Sequence, residues 1–326
     1  MRAIVIENYG GPENLVLEEL PNPKSAPGHV VIEVKAFGLN RAEIYFREGL
    51  WGDVARVSGI ECVGRVKADE EGRFHAGQKV LALMGGMGRT INGSYAELTR
   101  VPATNVVTIE TALAWEDLAA IPETYATAWA CLTRNLKLAA DQTLLVRGAT
   151  SALGQAAVNI AAHIGAHVIA TTRKPERVAT LTALGASDAR VDTPELLPAI
   201  REEHPKGIDA VLDIVGNRTI LESLKMIRPD GRACLGGFLG GGDPIAGFDP
   251  LAHMPSGVHL SFFASAFTFG NADYPLTDIP FQEIVDCVAN GTYKAKPARV
   301  FAFEDVADAH RLMESNKANG KIVIRL

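Results

Sequence analysis

The chain has 326 residues, of which 47% are hydrophobic and 21% are charged, and its formal net charge is −6. This length predicts about two globular domains, and the acidic balance gives no reason to expect nucleic acid or a membrane surface as a partner. No apolar run approaches the roughly 20 residues of a membrane-spanning helix, and no secretory signal pattern is visible. The four cysteines lie far apart in the sequence, which is typical of a reducing compartment, so we expect a cytoplasmic protein.

The N-terminal part of the chain, about the first 120 residues, is predicted to be rich in β-strands. Residues 29–37 alternate apolar and polar side chains, which is the pattern of a half-buried strand. Further short strand patterns follow, separated by Gly, Asn and Pro, and one short helix is predicted over residues 40–48.

From Pro122 the pattern changes to alternating helices and strands. A long helix is predicted over residues 122–138, and strands are predicted to begin near residues 143, 167, 188, 208, 231 and 259. Parallel strands need crossover connections of this kind, so the pattern predicts an α/β domain with a doubly wound parallel sheet of the Rossmann type. Two further helices and a short final strand depart from the pattern, and we expect them to return to the first domain.

The most informative motif covers residues 144–157, where a strand pattern leads into a glycine-rich turn and then a helix. Free backbone N–H groups and the helix dipole at such a turn can bind a pyrophosphate. Gly148 is expected to form the tight turn, and Gly154 is expected to let the helix pack closely on the sheet. Ser151 and Ala152 stand where the usual fingerprint has a glycine, although Ser151 is small and could donate a hydrogen bond. The predicted dinucleotide site contains Gly148, Ala149, Thr150, Ser151, Ala152, Leu153 and Gly154, and the alternative is an ordinary strand-to-helix turn.

The residues after the next strand favour NADPH over NAD. NAD sites usually carry an acidic residue about 20 positions beyond the glycine motif, where it binds the ribose 2′-hydroxyl. Here that place is taken by Thr172, Arg173, Lys174 and Arg177, and cations suit a 2′-phosphate. A solvated basic helix start is the alternative, and the nearby Glu176 keeps NAD possible.

Several short motifs together resemble a known family, and their order and spacing extend over nearly the whole chain. They are Asn40/Glu43/Tyr45/Arg47/Gly49, Gly59/Glu61/Gly64, Gly93/Tyr95/Glu97, Thr127-Ala128-Trp129, the Gly148–Gly154 turn, Gly185-Ala186 and Asp213/Val215/Gly216. The chain resembles the zinc-free quinone oxidoreductases (zeta-crystallin type) of the medium-chain dehydrogenase/reductase superfamily.

The resemblance implies a β-rich, GroES-like catalytic domain of residues 1–123 plus 268–326. A Rossmann domain of residues 124–267 would interrupt it, with the active site in the cleft between the two domains. The resemblance also implies a homodimer that pairs through the last Rossmann strand, near Val258–Phe267.

The sequence departs from the zinc-dependent members of the same superfamily. Those enzymes carry a cysteine near position 40 and a histidine near position 60, where this chain has Asn40 and Ile60. Residues 84–92 contain no cysteine that could form their structural zinc loop, and Gly165 is expected to break the helix between His163 and His167. No metal site is therefore expected.

A reductase without a Lewis acid needs an acceptor that is already electrophilic, such as a quinone or an α,β-unsaturated carbonyl compound. The protein then has to orient the acceptor beside NADPH and stabilise the oxyanion. By resemblance, the Asn40 amide would donate to the nicotinamide ribose or the substrate, and Tyr45 is a candidate oxyanion donor or proton source. Tyr45 could equally be a half-buried residue that only lines the cleft. The resemblance also places Thr127, Val215, Gly216, Gly236, Gly237 and Phe238 along the cofactor.

One further ion pair and two alternative functions are expected from the sequence. Arg47 is expected to form an i,i+4 ion pair with Glu43. A non-catalytic NADPH-binding protein, regulatory or structural, could use the same fold. An enoyl reductase that acts on thioester substrates is a third interpretation.

Overall fold

The structure is a computed structural model that describes residues 1–326, and we number its strands and helices in chain order. The strands are β1 Arg2–Ile6, β2 Leu15–Glu19, β3 His29–Leu39, β4 Glu61–Asp69, β5 Lys79–Leu83, β6 Leu98–Pro102, β7 Val106–Thr108, β8 Thr143–Arg147, β9 His167–Thr172, β10 Asp188–Val191, β11 Ile208–Asp213, β12 Ile227–Leu235, β13 His259–Phe262, β14 Arg299–Ala302 and β15 Ile322–Arg325. The helices are α1 Arg41–Arg47, α2 Trp115–Leu118, α3 Pro122–Trp129, α4 Ala152–Ile164, α5 Val178–Ala183, α6 Leu196–Glu203, α7 Ile220–Leu224, α8 Pro250–His253, α9 Ser265–Thr268, α10 Phe281–Ala289 and α11 Val306–Glu314. None of these helices combines the length and the hydropathy that a transmembrane span requires.

The chain divides into two compact units. The first contains Met1–Glu123, Ser265–Gly291 and Ala295–Leu326, and the second contains Thr124–Ala264 and Thr292–Lys294.

The first unit is built on a seven-stranded sheet in which β14, β15, β3, β4, β5 and β7 are successive neighbours and β6 also pairs with β3. β3 pairs antiparallel with β15, β4 and β6, and its residues Ile32 and Phe37 are fully buried. The C-terminal strand therefore returns to the N-terminal sheet, as the resemblance implied. The pairing of Ile322 with Leu39 also brings Lys321 beside Asn40, which is important for the site described below.

The second unit contains a six-stranded parallel sheet with the strand order β10-β9-β8-β11-β12-β13. Its core includes Leu145, Ile169, Val211 and Leu224, so strands β8, β9 and β11 are held together with α7 by apolar packing. The strand order reverses between β8 and β11, and ligands of such sheets bind outside the carboxyl ends of the strands at this switch point. The predicted α/β architecture, a Rossmann sheet with a GroES-like β-rich unit, is confirmed.

Two sequence predictions about individual elements need correction. The strand predicted near residue 231 begins earlier, at Ile227. Asp230 takes a left-handed conformation, with φ of 63°, but it does not end the strand, which continues past it with a shift of register. The long helix predicted over residues 122–138 changes from α to π geometry at Ala130. Thr133 and Asn135 donate side-chain hydrogen bonds to the carbonyls of Trp129 and Ala130, and such bonds compete with regular helical pairing.

Candidate active site

The glycine-rich turn between β8 and α4 has the backbone geometry that the sequence predicted. Gly148 has φ of 85°, which L side chains rarely adopt, and a Cβ atom on Gly154 would lie 2.5 Å from the Ala149 Cα atom. Ser151 begins α4 as its N-cap: its hydroxyl accepts from the Gly154 N–H at 3.1 Å and donates to the Gly148 carbonyl at 2.9 Å. The Ser151 side chain therefore stabilises the turn itself, and its proton is not directed at a ligand.

This turn leaves three backbone donors without a partner inside the protein. The N–H groups of Thr150, Ala152 and Leu153 donate to no protein atom, whereas those of Ala149, Ser151 and Gly154 do. The free N–H groups lie at the N-terminus of a 13-residue helix, where the helix dipole favours negative charge. Their arrangement fits a pyrophosphate, which accepts several hydrogen bonds and carries charge.

The segment after β9 carries unpaired cations. Thr172 is buried at the end of the strand and its hydroxyl accepts from the Lys174 N–H at 3.2 Å. Arg173 and Lys174 are exposed and Arg177 is half-buried, and none of these three forms an ion pair. Their charges are therefore not neutralised by any carboxylate of the protein, which fits a 2′-phosphate.

A second turn follows β11 and packs against the first. A Cβ atom on Gly216, whose φ is 99°, would lie 2.6 Å from the Gly237 carbonyl oxygen and 3.2 Å from the Phe238 Cα atom. A Cβ atom on Gly148 would in turn lie 3.4 Å from the Val215 side chain, and one on Gly236 would lie 3.9 Å from the Leu153 side chain. The structure thus brings Val215, Gly216, Gly236, Gly237 and Phe238 beside the Gly148–Gly154 turn.

Buried polar residues hold these turns in place. Asp213 accepts hydrogen bonds from the Gly216 N–H at 2.9 Å and from the hydroxyls of Thr219 and Ser223, and burial raises the pKa of this carboxyl group. Arg147, the last residue of β8, forms ion pairs with Asp192 and Glu222, which raise the pKa of its guanidinium against the effect of burial. Sequence motifs did not reveal Arg147, since its partners lie on other elements.

In the first unit, Asn40 belongs to a buried polar network. Its amide nitrogen donates to the Glu61 carboxylate at 2.8 Å, and its amide oxygen accepts from the Lys321 ammonium group at 2.6 Å. Lys321 also pairs with Glu61 at 2.6 Å, and the other Glu61 oxygen accepts from the Glu123 N–H. Glu61 is completely buried and Lys321 is only 6% exposed. We call the set Asn40, Glu61 and Lys321 the carboxamide network.

Two expectations for this region change. Both ends of the Asn40 carboxamide are engaged within the protein, so the donor expected for the nicotinamide ribose or the substrate is directed at Glu61 instead. Arg47 does not pair with Glu43: its guanidinium forms ion pairs with Glu314 and Glu48. Glu43 turns the other way, and its carboxylate accepts from the N–H groups of Asn40 and Ile60.

Glu43, on α1, is completely buried. Desolvation raises the pKa of Glu43 to about 8, despite two backbone hydrogen bonds and the nearby Lys321 charge. Tyr95 is completely buried, and its hydroxyl lies 3.0 Å from the His310 Nε2 atom. Burial and the charge of Arg47 lower the pKa of His310 to about 3, so this imidazole is neutral near pH 7.

Tyr45 differs from these residues in its exposure. It is half-buried on α1, its hydroxyl makes no hydrogen bond within the protein, and burial raises its pKa. The phenol therefore stays protonated near neutral pH and has a proton to donate. No group of three or more His, Cys, Asp or Glu side chains is placed to hold a metal ion, and Gly165, with φ of 87°, ends α4 between His163 and His167. Thr127 is buried on α3.

Comparison with known proteins gives two family matches. Residues 26–111 match the alcohol dehydrogenase GroES-like domain, and residues 152–275 match the zinc-binding dehydrogenase family. The first matched domain corresponds to the β-rich unit, and the second corresponds to the unit with the Rossmann sheet.

Individual relatives extend this likeness to the whole chain. The 2-haloacrylate reductase of Burkholderia sp. is 28% identical over 99% of this chain and 98% of its own length. A quinone oxidoreductase structure from Pseudomonas syringae pv. tomato DC3000 is 26% identical, covers 100% of this chain and 99% of its own, and has a TM-score of 0.87. A phenolphthiocerol/phthiocerol polyketide synthase subunit of Mycobacterium tuberculosis is 30% identical over 98% of this chain, but the chain spans only 14% of that protein. The chain belongs to the medium-chain dehydrogenase/reductase superfamily and is similar to its zinc-free quinone oxidoreductases.

Proposed function

We propose that the protein is an NADPH-dependent, zinc-independent reductase that transfers hydride to a quinone or an α,β-unsaturated carbonyl compound. The observation that carries the proposal is the Gly148–Gly154 turn, whose three free N–H groups lie in the same unit as three unpaired cations. A dinucleotide with a 2′-phosphate uses both features.

The cofactor side of the site is assigned from these residues. Thr150, Ala152 and Leu153 bind the pyrophosphate through their N–H groups, while Gly148, Ala149, Ser151 and Gly154 shape the turn. Arg173, Lys174 and Arg177 bind the 2′-phosphate beside Thr172. Thr127, Val215, Gly216, Gly236, Gly237 and Phe238 line the cofactor. Bound NADPH supplies the hydride.

On the acceptor side, Tyr45 is the proposed catalytic residue. When hydride adds to a quinone or to the β-carbon of an enone, negative charge develops on the acceptor oxygen, and a neutral phenol can stabilise it by donating a hydrogen bond. The Tyr45 hydroxyl is protonated and has no partner in the protein, so it meets this need. The proton that completes the reduction comes from Tyr45 or from water. Asn40 has a positioning role, because the carboxamide network fixes the start of α1, which carries Tyr45.

Zinc independence is supported by the donor atoms at the relevant positions. Asn40 uses its amide to bind Glu61 and Lys321, and Ile60 offers no donor. Glu61 is committed to the Lys321 ion pair and to the Glu123 N–H. Catalytic zinc needs about three protein ligands of the Cys, His, Asp or Glu type.

A homodimer through β13 is part of the same proposal. This strand lies at the edge of the parallel sheet, and Leu260 and Phe262 on it are exposed. An exposed apolar edge strand can pair with a second copy of itself.

A second candidate function is the reduction of enoyl thioesters. It is supported by the 30% identity with a segment of a polyketide synthase subunit. Hydride addition to an enoyl thioester also develops an oxyanion on a carbonyl oxygen, so Tyr45 would have the same role.

The test is NADPH oxidation with 1,4-benzoquinone, 9,10-phenanthrenequinone, a simple enone and crotonyl-coenzyme A, with metal content measured by elemental analysis. We expect turnover of the quinones or the enone by protein that contains much less than one zinc per chain. Preferential turnover of the thioester would establish the second candidate. Stoichiometric zinc with activity lost to chelators would contradict zinc independence, and NADPH binding without turnover of any acceptor would identify a non-catalytic protein.

The variant Tyr45→Phe tests whether the Tyr45 hydroxyl takes part in catalysis or only lines the acceptor site. We expect kcat to fall roughly 100-fold or more if the hydroxyl stabilises the oxyanion, because general acid–base and oxyanion groups contribute effects of this size. Tyr9→Phe is the matched control, since the Tyr9 hydroxyl bonds only to the backbone of Gly52 and Val54. An unchanged kcat in Tyr45→Phe would assign Tyr45 a lining role only.

A further inference from the structure

The first unit contains an arginine that contacts two aromatic rings. The Arg89 guanidinium carbon lies 4.8 Å from the centroid of the Phe267 ring and 5.8 Å from that of Trp51. The two rings are nearly parallel, with centroids 5.5 Å apart. Arg89 therefore lies beside this stacked pair of rings and makes a cation–π contact with each of them.

The edge of this guanidinium is largely unused. One Nη2 hydrogen bond goes to the Ala266 carbonyl at 2.9 Å, and Arg89 forms no ion pair. Burial lowers the pKa of Arg89, and no carboxylate opposes that effect. A partly buried cation whose planar edge retains several free N–H donors is suited to an anion, above all to a planar carboxylate, which accepts two parallel hydrogen bonds.

The position of this arginine connects it with the proposed acceptor site. Trp51 packs edge-on against Phe46, with ring centroids 5.3 Å apart, and Phe46 follows Tyr45 on α1. The Leu50 N–H also donates to the Tyr45 carbonyl at 2.9 Å, which ties the segment before Trp51 to that helix. The rings leave an apolar surface beside the cation, since Phe267 is 63% exposed and Trp51 is 38% exposed.

We propose that Arg89, with Trp51 and Phe267, is a carboxylate-recognition site, and that the preferred acceptors are conjugated carbonyl compounds that carry a carboxylate. The carboxylate binds the free edge of the guanidinium, and the apolar carbons of the acceptor lie against the exposed rings. Arg89 is a specificity-determining residue in this arrangement. The proposal of preferred acceptors depends on the reductase function, whereas carboxylate binding by Arg89 does not.

The kinetic test uses (E)-4-oxopent-2-enoate and its methyl ester as NADPH-dependent acceptors. For each acceptor, the ratio of variant to wild-type kcat/KM cancels the difference in intrinsic reactivity. We expect Arg89→Gln to lower kcat/KM roughly 10- to 100-fold for the carboxylate, since hydrogen bonds to charged groups have this strength, and to change it much less for the ester. Arg89→Lys should lie between wild type and Arg89→Gln, because it keeps the charge but loses the planar edge.

Arg65→Gln is the matched control. Arg65 also stacks on a tryptophan, at 5.5 Å from the Trp115 ring, and also donates to one backbone carbonyl, that of Gly77. Arg65→Gln should leave kcat/KM unchanged for both acceptors. Equal losses for the carboxylate and the ester in Arg89→Gln, or no loss for the carboxylate, would overturn the proposal.

A binding measurement tests carboxylate recognition by Arg89 independently of the reductase function. Calorimetric titration with 4-oxopentanoate and its methyl ester needs no turnover. Wild type should bind the carboxylate more tightly than the ester, and Arg89→Gln should lose that difference. Failure of all acceptors to oxidise NADPH would contradict the reductase function alone, whereas absence of carboxylate preference in binding would contradict the role of Arg89.

Discussion

The glycine-rich turn after β8 and the carboxamide network of Asn40, Glu61 and Lys321 use polar atoms in opposite ways. The turn leaves the N–H groups of Thr150, Ala152 and Leu153 without a protein partner. The network directs the Asn40 carboxamide, the Glu61 carboxylate and the Lys321 ammonium group at one another. Since unpaired polar groups cost free energy unless a ligand or water satisfies them, the turn has the character of a binding site and the network that of a support.

This difference changes how motif residues should be interpreted. Asn40 and Gly148 both belong to motifs that resemble the same family, but only the turn around Gly148 has donors to offer. A residue in a family motif can therefore act by holding its neighbour in place.

Lys321→Met should destabilise the protein strongly, because it leaves the completely buried Glu61 carboxylate without its ion pair. Breaking a buried pair by removing one partner typically costs about 3–5 kcal/mol in the free energy of unfolding. Urea unfolding measures this loss, and the double variant Lys321→Met/Glu61→Gln should recover part of it. Lys35→Met is the control, because the Lys35–Glu33 ion pair is partly exposed. A loss no larger than that of the control would show that the network does not support the fold.

Gly154→Ala should disturb the turn and weaken NADPH binding. The added Cβ atom would lie 2.5 Å from the Ala149 Cα atom and 2.6 Å from the Gly148 carbonyl oxygen, so the backbone of the turn must shift. Overpacking of this kind costs about 1–3 kcal/mol. We expect a lower Tm and a higher Kd for NADPH. Gly242→Ala is the control, since a Cβ atom there meets nothing within 4 Å. A wild-type Kd for NADPH in Gly154→Ala would show that the turn does not bind the cofactor.

The pH dependence of stability should report two buried groups, Glu43 on α1 and His310 on α11. The pKa of Glu43 is raised from 4.5 to about 8, so its contribution to stability is lost as the pH rises through this interval. The pKa of His310 is lowered from 6.5 to about 3, so its contribution is lost as the pH falls through that interval. The two slopes oppose each other between pH 4.5 and 6.5, which predicts a plateau there. Between pH 6.5 and 8 the free energy of unfolding should fall by about 1–2 kcal/mol because of Glu43.

Variants distinguish the two groups in urea unfolding at several pH values. Glu43→Gln should flatten the decline above pH 6.5, and His310→Gln should flatten the decline below pH 4.5. If Glu43→Gln retains the alkaline decline, another group causes it.

The sequence predicted those features that depend on neighbouring residues. The alternation of strands and helices gave the parallel sheet, and the positions of Gly148 and Gly154 gave the turn, because both patterns are local. The helix around Asn40–Glu48 was also predicted within one residue at each end.

Features that depend on distant residues were missed. The Lys321–Glu61 ion pair joins residues 260 positions apart, and it follows from the register of β15 on β3, which no local pattern reveals. Arg47 was expected to pair with Glu43 at helical spacing, but Glu314, 267 positions away, takes that place. Likewise, the unpaired state of Arg89 depends on which carboxylates lie near it in the fold.

The unpaired cations after β9 should bind the 2′-phosphate of NADPH. The most direct test is the Kd of NADPH and of NADH, by nicotinamide fluorescence, for wild type, Arg173→Ala, Arg177→Ala and the double variant. Lys206→Ala is the control, since Lys206 is an exposed cation elsewhere in the same unit. We expect wild type to prefer NADPH, and each single substitution to weaken NADPH binding roughly 5- to 150-fold with little change for NADH. A wild-type preference for NADH, or equal losses for the two cofactors, would contradict this role of the cations.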